Sequence, residues 1–235
     1  MHEGQLSTLL GVPGIPEAAE LIALQRDLIL VEETGVDAHF CRLSCGKSVQ
    51  LVAAAKRRGL SVTADAAAAN LLFSENDIKG FDSQFRVTPP IRSKKDLSLL
   101  RNGIKSGKLD AITSNHEPHD TDAKLAPFSQ AEPGISFFDT FLSSLMELVN
   151  NKRLSMDALV ASVSVNPSKI LGIDGGSLSK GARADVCVFD PQKAWQVTSE
   201  EMLSYGKNTP LLGHRYNGKV AMTLVNGRVV FNQLD

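Results

Sequence analysis

Short apolar runs alternate with amphipathic stretches along this chain, and this alternation limits its possible folds more than any other feature. Helical spacing of apolar residues predicts a helix that opens at Pro16 and stops at Gly35. Further helices are predicted over 47–58, 94–106, 137–149, 156–163 and 166–172, and strands over 36–43, 60–64 and 109–114. Three successive strand–helix units predict an α/β fold with a parallel sheet, or part of a barrel, joined by right-handed crossovers.

The pattern changes after Gly172. A glycine pair at 175–176, an apolar run over 184–189, and a longer run over 219–231 broken at Asn226-Gly227 are typical of strands and hairpins. We therefore expect two domains: an α/β domain over 1–174 and a small β-sheet domain over 175–235.

Charge and cysteine content exclude several classes of protein. The chain has 25 Lys and Arg against 26 Asp and Glu, a net charge of −1, which gives no electrostatic basis for binding nucleic acid or an anionic membrane. Apolar runs are all shorter than the ~20 residues needed to span a bilayer, and the first residues lack the basic region of a signal peptide. Three cysteines are too few for a disulfide scaffold, so we expect a reducing cytoplasm.

Two polar groupings could carry chemistry. His116, Glu117, His119 and Asp120 follow a predicted strand and open a long loop over 116–134, where they could bind a metal or move a proton. A solvated loop that caps the next element is the more common explanation for such a composition. His39 and Cys41 share one face of a predicted strand and could be a metal pair; without a second pair, a packed strand is the more common explanation.

The order of segments resembles the dihydroorotase branch of the amidohydrolase superfamily. The matching segments are LGVPGIP at 10–16, HFCRLS at 39–44, VTAD at 62–65, RVTPPIR at 86–92, DAITSNHEPH at 110–119, NPSKILG at 166–172, GARADV at 181–186 and KNTP at 207–210. The resemblance implies a (β/α)₈ TIM-type barrel with a small β domain, of which this chain would hold the last three strand–helix units. Active members use zinc to make a hydroxide that attacks the ring amide of dihydroorotate.

The chain departs from the family pattern where that chemistry occurs. Arg42 stands at the position of a metal-ligating His, and a guanidinium has no lone pair to give a metal. Asn115 stands at the position of the catalytic Asp, and Thr88 at that of a substrate-holding Asn. His119, Pro133 and Gly134 match family positions that contact substrate. The family's His-x-His motif is absent from the sequence, and the remaining metal ligands would lie upstream of the matched segments.

The resemblance therefore implies a catalytically inactive dihydroorotase-like protein, for which we expect no cofactor. Some bacterial homologues that lack metal ligands are structural subunits of aspartate carbamoyltransferase, so this enzyme of pyrimidine biosynthesis is the expected partner, with self-association as the other possibility. The alternative is an active zinc-dependent cyclic-amide hydrolase completed by upstream residues or another chain. In that case His119 would contact substrate and Asn115 would position water. A third possibility is a decayed gene product that folds poorly. We also expect the Arg42 guanidinium to pair with Asp65 on the adjacent strand.

Overall fold

Three short parallel strands form the centre of the fold. The computed structural model describes residues 1–78 and 80–234, and its first sheet has strands β1 (Ala38–Phe40), β2 (Val62–Ala67) and β3 (Ala111–Thr113) in that order. Ala38 pairs with Val62 and Asp65 pairs with Ala111, both in parallel register. The predicted α/β fold with a parallel sheet is thus confirmed for these three units.

Helices connect and cover these strands. They are α1 (Gln5–Leu10), α2 (Glu17–Thr34), α3 (Gly46–Arg57), α4 (Ala68–Leu72), α5 (Lys94–Lys105), α6 (Phe138–Asn150), α7 (Met156–Val160) and α8 (Asn166–Leu171). Helix α2 buries Leu24, Leu28 and Val31 at helical spacing, and it ends because Gly35 takes φ +68° in the left-handed region. Ser93 caps the N-terminus of helix α5, since its hydroxyl accepts a hydrogen bond from the Asp96 amide.

A second, antiparallel sheet follows, as the hairpin signals predict. Its strands are β4 (Val186–Gln196), β5 (Arg215–Val225) and β6 (Arg228–Asn232), and β5 lies in the middle. Asn226 and Gly227 both have positive φ, at 49° and 75°, which suits a two-residue hairpin turn. Ser143 of α6 donates to the Gly218 carbonyl and accepts from the Trp195 indole at 3.0 Å, so α6 is joined to both β4 and β5.

Several boundaries differ from the sequence-based prediction. The strand expected over 36–43 covers only Ala38–Phe40, because Arg42 leaves the extended conformation with φ +58°. The helix expected over 156–163 is α-helical to Val160 and continues as a wider π turn over Ala161–Val165. Helices α1 and α4 were not predicted, since each is too short to show a helical period.

One flank of the molecule is apolar and exposed. In the part of the chain that the structure describes, β1 pairs with β2 and with no other strand. Beside it, α2 exposes Ile22 by 71%, Ile29 by 55% and Leu30 by 55%, although its opposite side is in the core. Across 1–78 and 80–234, every helix falls short of the length and apolar character needed to cross a membrane.

Candidate functional site

Arg42 and Asn115 meet at the carboxyl ends of the parallel strands. Arg42 follows β1 and Asn115 follows β3, and both have positive φ, at 58° and 46°. The Arg42 guanidinium donates to Asn115 Oδ1 at 3.0 Å, and its Nη1 lies 3.7 Å from Glu117 Oε1. Left-handed backbone is costly for residues other than glycine. The backbone of Arg42 is therefore strained, whereas asparagine adopts this region more readily, and the two side chains touch.

The expected ion pair between the Arg42 guanidinium and Asp65 is wrong. Asp65 Oδ1 instead accepts from the backbone amide of Arg42 at 2.6 Å, and its Oδ2 lies 2.9 Å from His39 Nε2. The other ring nitrogen of His39 lies 2.8 Å from the Thr63 hydroxyl. Asp65 thus fixes the backbone at residue 42, which directs the guanidinium away from it towards Asn115.

His116 is held as a neutral imidazole. Its Nδ1 accepts from the backbone amides of Phe137 at 2.9 Å and Phe138 at 3.1 Å, so the ring proton is on Nε2. The ring stacks on Phe138 with centroids 4.0 Å apart. Burial lowers the pKa of His116 below its ordinary value, with a smaller opposing effect from Asp139. His116 therefore orders the start of α6 and does not act as a free ligand through Nδ1.

The structure brings His119, Pro133 and Gly134 together. His119 Nε2 donates to the Pro133 carbonyl at 2.9 Å. Gly134 has φ +136°, and a Cβ there would lie 2.6 Å from Glu117 Cβ and 2.9 Å from His119 Nε2. Only glycine fits this close approach. The loop over 116–134 is thus closed on itself at three of the four substrate positions that the resemblance implies.

Asn208 is the residue that sequence reasoning missed. Its Oδ1 accepts from the His119 amide at 2.7 Å, and its Nδ2 donates to the carbonyls of Glu117 at 2.9 Å and Gly134 at 3.2 Å. This side chain is buried. It lies in the segment KNTP that carried part of the resemblance, but nothing local indicates that it reaches residues about 90 positions earlier.

Lys124 anchors the other end of the same loop. Its Nζ donates to the carbonyls of Ser83 at 3.3 Å, Arg86 at 3.4 Å and Glu132 at 2.6 Å. Burial, together with the nearby Arg86 charge, lowers the pKa of Lys124 to about 8. Lys124 therefore sets the position of the residues just before Pro133.

Thr88 shares a cavity with Arg42. Both residues line a cavity of about 280 Å³ that also includes Cys41 and Pro90, whereas His119 and Gly134 are not among its described lining residues. Thr88 thus shares a cavity with Arg42, and the loop with His119, Pro133 and Gly134 reaches the segment before Thr88, because the Gly134 amide donates to the Arg86 carbonyl at 2.8 Å. Asn115 and Glu117, which both contact the guanidinium, lie between Thr88 and His119 along the chain.

The donor set at Arg42 and Asn115 does not fit the zinc ion of active family members. A guanidinium remains a cation at any working pH and offers no lone pair. Its Nη1 already fills the space next to Asn115 Oδ1, and an amide is a weak substitute for a carboxylate as ligand or base. A dication at this position would face a fixed positive charge in place of a ligand.

Comparison with known proteins identifies relatives of one family. A model of the amidohydrolase family matches residues 11–230. The chain is 45% identical over 228 residues to a dihydroorotase-like protein of Pseudomonas putida, covering 97% of this chain and 54% of that protein. It is 41% identical over 233 residues to a dihydroorotase of Syntrophus aciditrophicus (strain SB), and the match covers 99% of this chain and 55% of that protein. The chain therefore spans about half the length of the curated relatives it matches.

The α/β fold is also similar to that of a solved hydantoinase. The L-hydantoinase (dihydropyrimidinase) from Arthrobacter aurescens aligns with a TM-score of 0.85 at 26% identity, covering 91% of this chain and 49% of that chain. A D-hydantoinase (dihydropyrimidinase) from Thermus sp. has the same TM-score at 24% identity, which reflects the shared fold alone.

Proposed function

Because this chain belongs to the amidohydrolase family, we propose that it is a catalytically inactive dihydroorotase-like protein that serves as a structural partner of aspartate carbamoyltransferase in pyrimidine biosynthesis. The names of its relatives support the dihydroorotase-like assignment. The three parallel strands are the last three units of a (β/α)₈ barrel, residues 1–174 form this partial barrel, and residues 175–235 form the small β domain. The site of action is the cytoplasm, where its three free thiols would stay reduced.

The contact between Arg42 and Asn115 is the observation that carries this proposal. Hydrolysis in active relatives needs a metal-bound hydroxide and a carboxylate that moves the proton. Here the cationic guanidinium lies 3.0 Å from the amide oxygen of Asn115. An amide takes up no proton in the working pH range, and the guanidinium excludes a dication by charge. At positions 42 and 115, therefore, the metal ligand and the carboxylate that hydrolysis uses in active relatives are both replaced.

The exposed flank supports the partial barrel. The open edge of β1 and the exposed Ile22, Ile29 and Leu30 of α2 lie where a preceding strand–helix unit of a barrel would pack. Either further residues or another polypeptide covers this flank. If that addition also supplies metal ligands, the alternative function holds: a zinc-dependent cyclic-amide hydrolase in which His119 contacts substrate and Asn115 positions water.

Isolation of the native protein from its own cells tests these functions. Native mass spectrometry should show the chain bound to aspartate carbamoyltransferase, and the complex should not hydrolyse dihydroorotate at any zinc concentration. Recovery of the chain as a homo-oligomer without the transcarbamoylase would overturn the partner assignment. Dihydroorotate hydrolysis that is lost in Asn115→Ala and His119→Ala, but kept in the exposed control Gln192→Ala, would establish the enzymatic alternative.

A further inference from the structure

Three side chains with metal-ligating atoms converge next to Arg42. The ligand atoms of His39, Cys41 and Asp65 all lie within 4.8 Å of one another. His39 and Cys41 come from the β1 chain segment and Asp65 from β2, with His39 paired to Thr63 in the parallel register. The sequence indicates the His39–Cys41 pair, but the third donor comes from the neighbouring strand and becomes visible only in the fold.

Two of the three donors already have the outer contacts that metal ligands need. Metal-binding histidines commonly use one ring nitrogen for the metal and donate from the other to a fixed acceptor. His39 Nδ1 lies 2.8 Å from the Thr63 hydroxyl, which can accept as well as donate. Asp65 Oδ1 is held by the Arg42 amide at 2.6 Å, which leaves Oδ2 facing His39 Nε2.

The spacing and the charge of the cluster fit a divalent ion. Nε2 of His39 and Oδ2 of Asp65 are 2.9 Å apart, and tetrahedral zinc bonds of about 2.0–2.1 Å would need roughly 3.3 Å, a small widening. A thiolate and a carboxylate together balance a charge of +2. The loaded site is neutral, so metal binding with loss of the thiol proton changes the local charge from −1 to 0, and the Arg42 guanidinium points away from it towards Asn115.

We propose that His39, Cys41 and Asp65 bind one borderline-soft divalent transition metal ion, of the Zn²⁺ class. The donors are Nε2, Sγ and Oδ2. On binding, the thiol proton leaves to solvent, the ring proton of His39 moves to Nδ1 and is donated to Thr63, and no redox change occurs. Cys41 is exposed and lines the cavity of about 280 Å³ shared with Thr88, so the fourth position opens to solvent and takes water or an exogenous ligand.

Metal titration of the full chain, stripped with a chelator and kept reduced, tests the site. Zn²⁺ is titrated against a competing chromophoric chelator, and Co²⁺ is added separately to read thiolate ligation from its near-ultraviolet charge-transfer absorption. The expected result is one equivalent of metal with a thiolate band. Cys41→Ser and His39→Gln should each weaken binding by roughly 100-fold or more, since loss of outer contacts alone costs about 10–100-fold. Cys187→Ser, at the other exposed cysteine, is the matched control.

The outcomes separate this site from the proposed function. Absence of stoichiometric binding, or binding that is equal in the wild type and in folded Cys41→Ser, overturns the metal site. Unchanged melting temperatures of the metal-free variants exclude misfolding as the cause of a loss. Dihydroorotate hydrolysis by the metal-loaded protein would overturn the proposed inactivity while leaving the metal site in place.

Discussion

Glu20 on α2 holds the backbone that follows Arg42, and its replacement with glutamine is expected to lower the free energy of unfolding by at least about 3 kcal/mol. Its carboxylate accepts from the amides of Ser44 at 3.0 Å and Cys45 at 3.0 Å, and from the hydroxyls of Ser44 and Ser48. These three residues are fully buried. Glutamine keeps the size but removes the charge and turns one acceptor into a donor.

The magnitude follows from the bonds that are lost. Hydrogen bonds to a charged group contribute about 1.5–3 kcal/mol each, and glutamine keeps one acceptor oxygen, so about two of the four are lost. The buried Arg92, whose Nη2 lies 4.0 Å from Glu20 Oε2, loses its nearest counter-charge as well. For a chain of this size, 3 kcal/mol corresponds to a fall in melting temperature of about 6–12 °C.

Thermal unfolding of Glu20→Gln beside Glu17→Gln is the assay. Glu17 lies one turn earlier on α2 and pairs with Lys47 at 2.6 Å, but the Lys47 side chain is 62% exposed. Loss of this ion pair in Glu17→Gln should leave the melting temperature unchanged within experimental error, because exposed ion pairs contribute little to stability. Hydrogen exchange at the Ser44 and Cys45 amides should accelerate only in Glu20→Gln. Equal melting temperatures for the two variants would refute this reasoning.

Three further changes probe the site and its support. The free energy of unfolding of Arg42→Gly should exceed that of Arg42→Ala by about 1 kcal/mol, since both lose the guanidinium and only glycine accepts φ +58° without strain. A lower melting temperature for Arg42→Gly than for Arg42→Ala would contradict this. The lowered pKa of His116 means that the unfolded chain binds the proton first, so stability falls as the pH drops below 6.5. The free energy of unfolding in urea should depend less on pH between 6.5 and 5 in His116→Gln than in the wild type. Parallel pH profiles of the two proteins would count against this role of His116. Ser143→Ala should cost about 1–3 kcal/mol and change the fluorescence of Trp195, the single tryptophan; an unaltered spectrum would argue against the contact.

The sequence predicts the elements better than it predicts the contacts between them. Periodicity indicates three strands and their helices because a buried strand and an amphipathic helix have different apolar spacing. It places Arg42 and Asp65 on adjacent strands, but a main-chain amide and not the guanidinium reaches the carboxylate. The departure from extended backbone at Arg42 decides this, and arginine as a residue type gives no signal for positive φ.

Contacts between distant segments are beyond local patterns. The resemblance points to Thr88, His119, Pro133 and Gly134 as substrate positions, and these roles remain predictions. The geometry confirms only that the last three are neighbours. Asn208 holds this group together through side-chain hydrogen bonds, and such long-range pairing leaves no trace in the periodicity around residue 208.

The position of Asn208 also has a consequence for the time course of folding during synthesis. The His119 amide and its Asn208 acceptor are separated by 89 residues, and a ribosome adding about 5–20 residues per second needs roughly 4–18 s to cover them. For that interval His119 has been synthesised without the Asn208 amide that ties it to Glu117 and Gly134. The nascent chain thus exposes this loop to chaperones and proteases for seconds, until its own C-terminal segment arrives to close it.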